Sequence, residues 1–211
     1  MTDTRALARE ERAEFAAFLA TLTPEQWDAP TLCTAWRVRD VVAHVIGYDV
    51  AGMTGFARTL VRSGLSPDGA NQRVVEDLRD LDPRGLLDLV RRYETPAGLP
   101  ARFGNRIALT DGAIHHQDIR RPLGMPREIP PERLRAVLDF AMVAVPIRAF
   151  VRTRGLRLVA TDLDWSSGRG TEVHGPAEAL LMAASGRPDA LDELEGPGLG
   201  VLAGRCRPGR G

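Results

Sequence analysis

The chain carries four histidines, His44, His115, His116 and His174, and what each can do depends on the helix face it occupies. Two of them lie in TDGAIHHQDIRRPLG, inside a stretch that reads as one helix from about Asn105 to Arg121. Each residue turns an α-helix by roughly 100°. Measured from Ile107, Asp111 stands about 40° away, Ile114 about 20° the other way, Asp118 about 20° and His115 about 80°. Two carboxylates therefore share an apolar stripe with two isoleucines, and an imidazole flanks them. His116 points to the opposite side and is expected to be solvated, while His174 reads as an ordinary surface or core residue.

A carboxylate on a core-facing stripe is costly to bury unless it is paired or holds a cation. Asp111 and His115, at i and i+4, stand one above the other and can converge on one ion. His44, beside Val41 and Val45 and one turn before Tyr48, faces inward on a second helix. Two helices can thus supply His plus Asp-xxx-His, in the manner of metal sites built inside bundles. Two histidines and one carboxylate leave coordination positions open, which suits catalysis better than a closed structural site. Asp118, one turn after His115, can orient that imidazole as an outer acceptor. Taken singly, these residues read otherwise: His44 as a hydrogen-bonded core histidine, Asp111 with His115 as a surface pair, and Asp118 as the partner of an arginine.

The elements that must position these groups are mostly helices. Helical spacing covers Asp3 to Leu22, then a turn around Trp27 between Pro24 and Pro30, then a helix from about Trp36 to Leu60. Ser63 to Ala70 reads as a loop, followed by helices over Asn71–Leu81 and Pro83–Tyr93. The Asn105–Arg121 helix is closed by Pro122 and Gly124, and another runs from Pro131 to about Thr153 with a bend or break at Pro146. Past Gly155 the period changes. Leu156–Thr161 and a segment through Val173 read as strands around a glycine turn at Gly168–Gly170. Pro176–Ser185 is a helix, and Leu199–Leu202 a last edge strand. The fold class expected is mainly α, a helical bundle over residues 1–154 and a small α+β domain over residues 155–211, with a frayed tail after Ala203.

Composition removes several functions. Twenty-eight basic residues balance 28 acidic ones, so the positive footprint of a nucleic-acid binder is missing, as are basic clusters for a membrane surface. The apolar run around Phe140 to Phe150 is too short to span a bilayer. The N-terminus is acidic and polar where a signal peptide is basic and then apolar, so a cytoplasmic protein is expected. Every basic residue is Arg, which excludes Schiff-base chemistry on a lysine. The two cysteines, Cys33 and Cys206, are expected as free thiols.

The segment PTLCTAWRVRDVVAHVIGYDV, followed by TDGAIHHQDIRRPLG and GLRLVATDLDWSSGRGTEVHGPAEALLMAASGRPDAL, resembles the maleylpyruvate isomerase-like, mycothiol-dependent family of the DinB-like superfamily. The resemblance implies a four-helix bundle holding a divalent metal, usually zinc, through His44, Asp111 and His115. Where the family typically has Glu this chain has Asp111, whose arm is shorter by one methylene. It also implies an actinobacterial source and mycothiol as cosubstrate, bound as a thiolate that adds to a small-molecule electrophile for isomerisation or S-transfer. Arg120, Arg121 and Arg187 are candidate anchors for that thiol or for substrate carboxylates. A monomer or homodimer is expected. Two other readings stay open: a non-haem iron oxygenase, whose facial triad uses the same ligand types, and a non-catalytic metal- or ligand-binding protein.

Overall fold

The computed structural model describes residues 3–206 and divides into two compact units, residues 1–127 and 128–211. In the first, α1 (Thr4–Leu19) starts where the Asp3 carboxylate accepts from the amides of Arg5 and Ala6, an N-cap that satisfies donors the helix leaves orphaned. A single turn, α2 (Pro24–Trp27), buries Trp27 under a Thr23–Gln26 capping box. Then come α3 (Val38–Arg62), α4 (Pro67–Leu78), α5 (Pro83–Arg92) and α6 (Arg106–Arg120). Both α4 and α5 open with Pro after a Ser or Asp cap, as the fixed φ of proline favours.

Helix α1 packs on α6, α6 on α3, α3 on α5, and α5 back on α1, which closes a four-helix ring with α4 laid against α3. The ring surrounds Phe15, Leu19, Val41, Val42, Val45, Ile46, Leu86, Val90 and Ile119. At Gly47 α4 lies so near α3 that a Cβ would land on Val74 Cγ1. Helix α3 breaks at Gly52, whose φ is 63°. The break makes room for Gly98, itself at φ 61°, where a Cβ would meet Tyr48 O at 3.1 Å.

The second unit begins with α7 (Pro131–Ala141) and the short α8 (Ala149–Arg152). Strand β1 (Leu156–Ala160) is the middle of a three-stranded sheet, antiparallel to β2 (Ser166–Gly168) and parallel to β3 (Thr171–Gly175). Helix α9 (Ala177–Ala184) is buried at every residue but Glu178 and packs on the sheet and on α7, and α10 (Leu199–Cys206) closes the unit.

Several expectations are corrected. The boundary falls after Arg127 and not after residue 154, because α7 packs on α9 and Trp165 Nε1 donates to Asp139 Oδ1 at 2.9 Å. The bend or break expected at Pro146 is a break: residues 131–153 form two helices separated by turns around that residue, which has no N–H to continue the ladder. Helix α1 stops at Leu19, short of Leu22, and α4 begins four residues before Asn71, at Pro67. Leu199–Leu202 is the start of α10 and not an edge strand, and residues 204–206, expected frayed, continue that helix; the rest of the tail lies outside the described residues. Among the described residues no helix is long and apolar enough to cross a membrane, and both cysteines are free thiols.

Candidate metal centre

His44 stands in the first half of α3, Asp111 and His115 one turn apart on α6, and the packing of those two helices brings the three together. Asp111 Oδ1 lies 3.7 Å from His44 Nε2 and 3.5 Å from His115 Nε2. All three ligand atoms fall within 4.8 Å of one another. Ligand atoms bound to one zinc at about 2.0–2.1 Å in a tetrahedron sit roughly 3.3 Å apart, so these spacings fit an ion after small adjustments. The imidazoles are nearly closed off, with side chains 7% and 10% exposed, while Asp111 keeps 39% of its side chain open. Solvent reaches the site on the carboxylate side.

The outer surroundings of the two imidazoles differ. His115 Nδ1 lies 2.9 Å from Asp118 Oδ2, and Asp118 is fully buried. A carboxylate there accepts the Nδ1 proton, which leaves the Nε2 lone pair facing Asp111 and His44, the arrangement common to ligating histidines. Cys33 Sγ approaches the same Asp118 oxygen at 3.1 Å and His115 Nδ1 at 3.8 Å. His44 Nδ1, by contrast, is buried without a hydrogen-bond partner among the described residues. Its ring is held by packing, with Trp36 at 4.9 Å, His115 at 4.9 Å edge-on and Tyr48 at 6.0 Å edge-on.

The electrostatics of the cluster favour positive charge between its members. Crowded surroundings alone would raise the Asp111 carboxyl, but the imidazoles of His115 and His44 overcome this and hold it well below the usual carboxylate range. Desolvation would lower His115, yet Asp111, with help from Asp118 and Cys33, raises it well above its ordinary value. A proton or a divalent cation can supply that charge, and metal binding at such a site releases the proton. Desolvation, reinforced by Asp111, pushes Tyr48 up to about 12, and its hydroxyl donates to Asn71 Oδ1 at 2.7 Å.

The opposite face of α6 is equally dry, which corrects the expectation that His116 is solvated. His116 is fully buried against Phe15 and Phe18, its Nδ1 3.1 Å from Glu11 Oε1, and its Nε2 accepts from Arg120 Nε at 2.8 Å. Arginine only donates, so Nε2 is the acceptor and Nδ1–H donates to Glu11. Arg127 closes the network with two bonds to Glu11, at 2.7 and 3.1 Å. Burial opposes the Glu11 charge, but His116 and Arg127 hold the carboxyl at about 2. Burial drives His116 down to about 4, with Arg127 adding to it against the pull of Glu11.

Three arginines were suggested as anchors for the thiol or for substrate carboxylates. Arg120 is committed to His116, Met125 O and the face of the Phe18 ring at 4.0 Å. Arg121 is the C-cap of α6, and Arg187, in the second unit, donates to Ser185 O. Sequence reasoning missed Cys33, Trp36 and the buried Arg12–Asp49 pair at 3.3 Å. Of these only Trp36 and Asp49 left a signal, being an aromatic and a carboxylate beside apolar stripes.

A four-helix ring with two imidazoles and a carboxylate converging in its interior defines a DinB-like fold with a candidate metal centre. Residues 8–97 match the mycothiol maleylpyruvate isomerase N-terminal domain family. That stretch includes His44 and ends before α6. A crystal structure of a histidine-to-alanine variant of the mycothiol-dependent maleylpyruvate isomerase superposes with TM-score 0.61 at 16% identity, over 91% of this chain and 90% of that one. A second structure of the mycothiol-dependent maleylpyruvate isomerase gives 0.56 at 15% identity with the same coverage. Uncharacterized proteins from two strains of Mycobacterium tuberculosis are 26% identical over 134 residues, 60% of this chain and 71% of theirs. The family match covers the N-terminal part of the chain, and the likeness to the solved isomerase is one of fold, over 91% of the chain.

Proposed function

We propose that the protein is a divalent-metal-dependent enzyme that uses a low-molecular-weight thiol, mycothiol, to isomerise a small electrophile or to become attached to it. The observation that carries this reading is the convergence of His44, Asp111 and His115, one ligand atom of each lying within 4.8 Å of the others. Two imidazoles and one carboxylate suit zinc and leave coordination positions for another ligand. When bound, the metal supplies a Lewis acid at which a thiol is held as its thiolate.

The chain's own residues do the rest. Asp118 keeps His115 in the tautomer whose Nε2 faces the site. Trp36 and Tyr48 pack around His44 and keep water from its ring, while the open side of Asp111 gives a thiol its approach. A thiolate that adds to a conjugated double bond turns it into a single bond. The resulting enolate can rotate and expel the thiolate, which re-forms the double bond and completes an isomerisation, whereas a proton taken from solvent at the carbon next to the carbonyl keeps the new C–S bond and completes an S-transfer. The family match, the shared fold and the donor set all support this reading.

Elemental analysis of the purified protein, alone and with mycothiol, tests it. Stoichiometric zinc is expected, and His44→Ala is expected to lose the metal while circular dichroism shows helicity retained. Stoichiometric metal in that variant would count against the ligand set. The same donor types form the non-haem iron triad, so iron together with oxygen-dependent turnover would replace the thiol chemistry. Silence toward a panel of Michael acceptors and epoxides would leave a binding protein.

A further inference from the structure

Asp118 is shared between two donors. Its Oδ2 lies 2.9 Å from His115 Nδ1 and 3.1 Å from Cys33 Sγ, and its backbone oxygen accepts from Leu32 N at 3.0 Å. The loop between α2 and α3 is therefore fastened to α6 twice at one residue, through side chain and main chain. The fastening is built into the loop: Thr31 Oγ1 donates to Trp36 O at 2.8 Å and accepts from Cys33 N at 3.1 Å, so the cysteine is presented in a fixed place. Asp118 is fully buried, and removing one partner of a buried carboxylate is costly. We propose that Cys33 is a positioning residue of the metal centre: its S–H, donated to Asp118, holds that carboxylate where it accepts from His115 Nδ1 and so keeps His115 Nε2 turned toward Asp111 and His44.

Two other roles for the thiol fit the distances less well. Cys33, His115 and Asp118 could themselves surround a cation, but contacts of 2.9 and 3.1 Å to one oxygen are hydrogen-bond lengths. A cation would have to displace both hydrogens. A nucleophilic thiolate would lie against a carboxylate of like charge. The donor role needs neither change.

The inference rests on the reading of His44, Asp111 and His115 as ligands, and the test separates the two. Co2+ affinity is measured by chelator competition in the full chain for wild type, Cys33→Ala, Cys33→Ser, Asp118→Ala and the double alanine variant, each checked for wild-type helicity. Outer partners of ligating histidines are worth about 10- to 100-fold in metal affinity. Cys33→Ala is expected to lose roughly 10-fold, at the lower end because it acts through Asp118. Cys33→Ser, which keeps a donor, recovers most of the loss, and Cys33→Ala adds nothing once Asp118 is alanine. Wild-type affinity in Cys33→Ala, no recovery with serine, or independent additive losses would each overturn the role of Cys33. A wild-type protein that binds no Co2+ would instead sink the ligand assignment. Should the alanine variant fail to fold, the S–H infrared band of the wild-type protein decides: it must show a hydrogen-bonded thiol that shifts in Asp118→Asn, and an unshifted band overturns the proposal.

Discussion

His115 and His116 are neighbours in sequence with opposite duties. One turns toward Asp111 and His44, and the other is locked between Glu11 and Arg120 as a neutral donor–acceptor. The second arrangement makes the fold sensitive to acid. The folded-state value of His116, about 4, lies below the ordinary 6.5, so as pH falls from 6.5 toward 4 the unfolded chain takes a proton that the folded one refuses. Glu11 is held at about 2 against an ordinary 4.5, so its contribution is complete above 4.5 and is lost as pH falls toward 2. Both changes remove stability on acidification. Urea titrations at pH 7, 5 and 3.5 are expected to show a steady fall, and a flat profile between 7 and 4 would refute the neutral, buried state of His116. At this scale the sequence was legible where a face could be computed. Asp111, His115 and Asp118 were placed from their angles on α6, and His44 from the valines around it. Cys33 was not, because it lies in a loop, whose path follows contacts such as Leu32 N to Asp118 O and not a period. His116 was read as solvated because a single helix shows one apolar stripe, whereas α6 is covered on nearly every side from Ala108 to Ile119.

Among the elements, α3 does most to shape the site. Its first half carries His44 into the ring, and the break at Gly52 turns the second half so that Phe56 packs edge-on against Tyr48 at 5.7 Å. The apolar spacing announced the helix, but not its break, since Gly52 sits inside an otherwise unbroken pattern. Alignment of α3 with α4 depends on the missing side chain at Gly47, where added atoms meet Val74. Gly47→Ala is expected to destabilise the protein by about 1–3 kcal/mol, the usual penalty of overpacking. A chemical denaturation midpoint equal to wild type would show that α4 can shift freely, and with it that α3 is not held by this contact.

For the whole molecule, the strand and helix periods placed the small sheet after Gly155, yet the division of the chain falls earlier, because α7 shares a core with α9 that no local pattern reveals. The site lies wholly within the first unit. Metal binding there should raise stability through mass action, by about 2.7 kcal/mol at a free concentration 100 times Kd. Added Zn2+ is expected to increase amide protection in α3 and α6 in a concentration-dependent way, and His44→Ala should abolish the effect. Unchanged exchange in those helices on zinc addition to wild type would contradict the shared site. The buried ion pairs that tie α1 to α3 and α1 to the segment after α6 use Arg12 and Arg127 as their cations. Each guanidinium presents several N–H donors in a planar fork, and both Arg12 and Arg127 reach their carboxylate through two nitrogens. The two carboxylates so braced respond to acid in opposite senses: Glu11 is held at about 2 and removes stability as pH falls, whereas burial raises Asp49, which adds stability as it takes its proton.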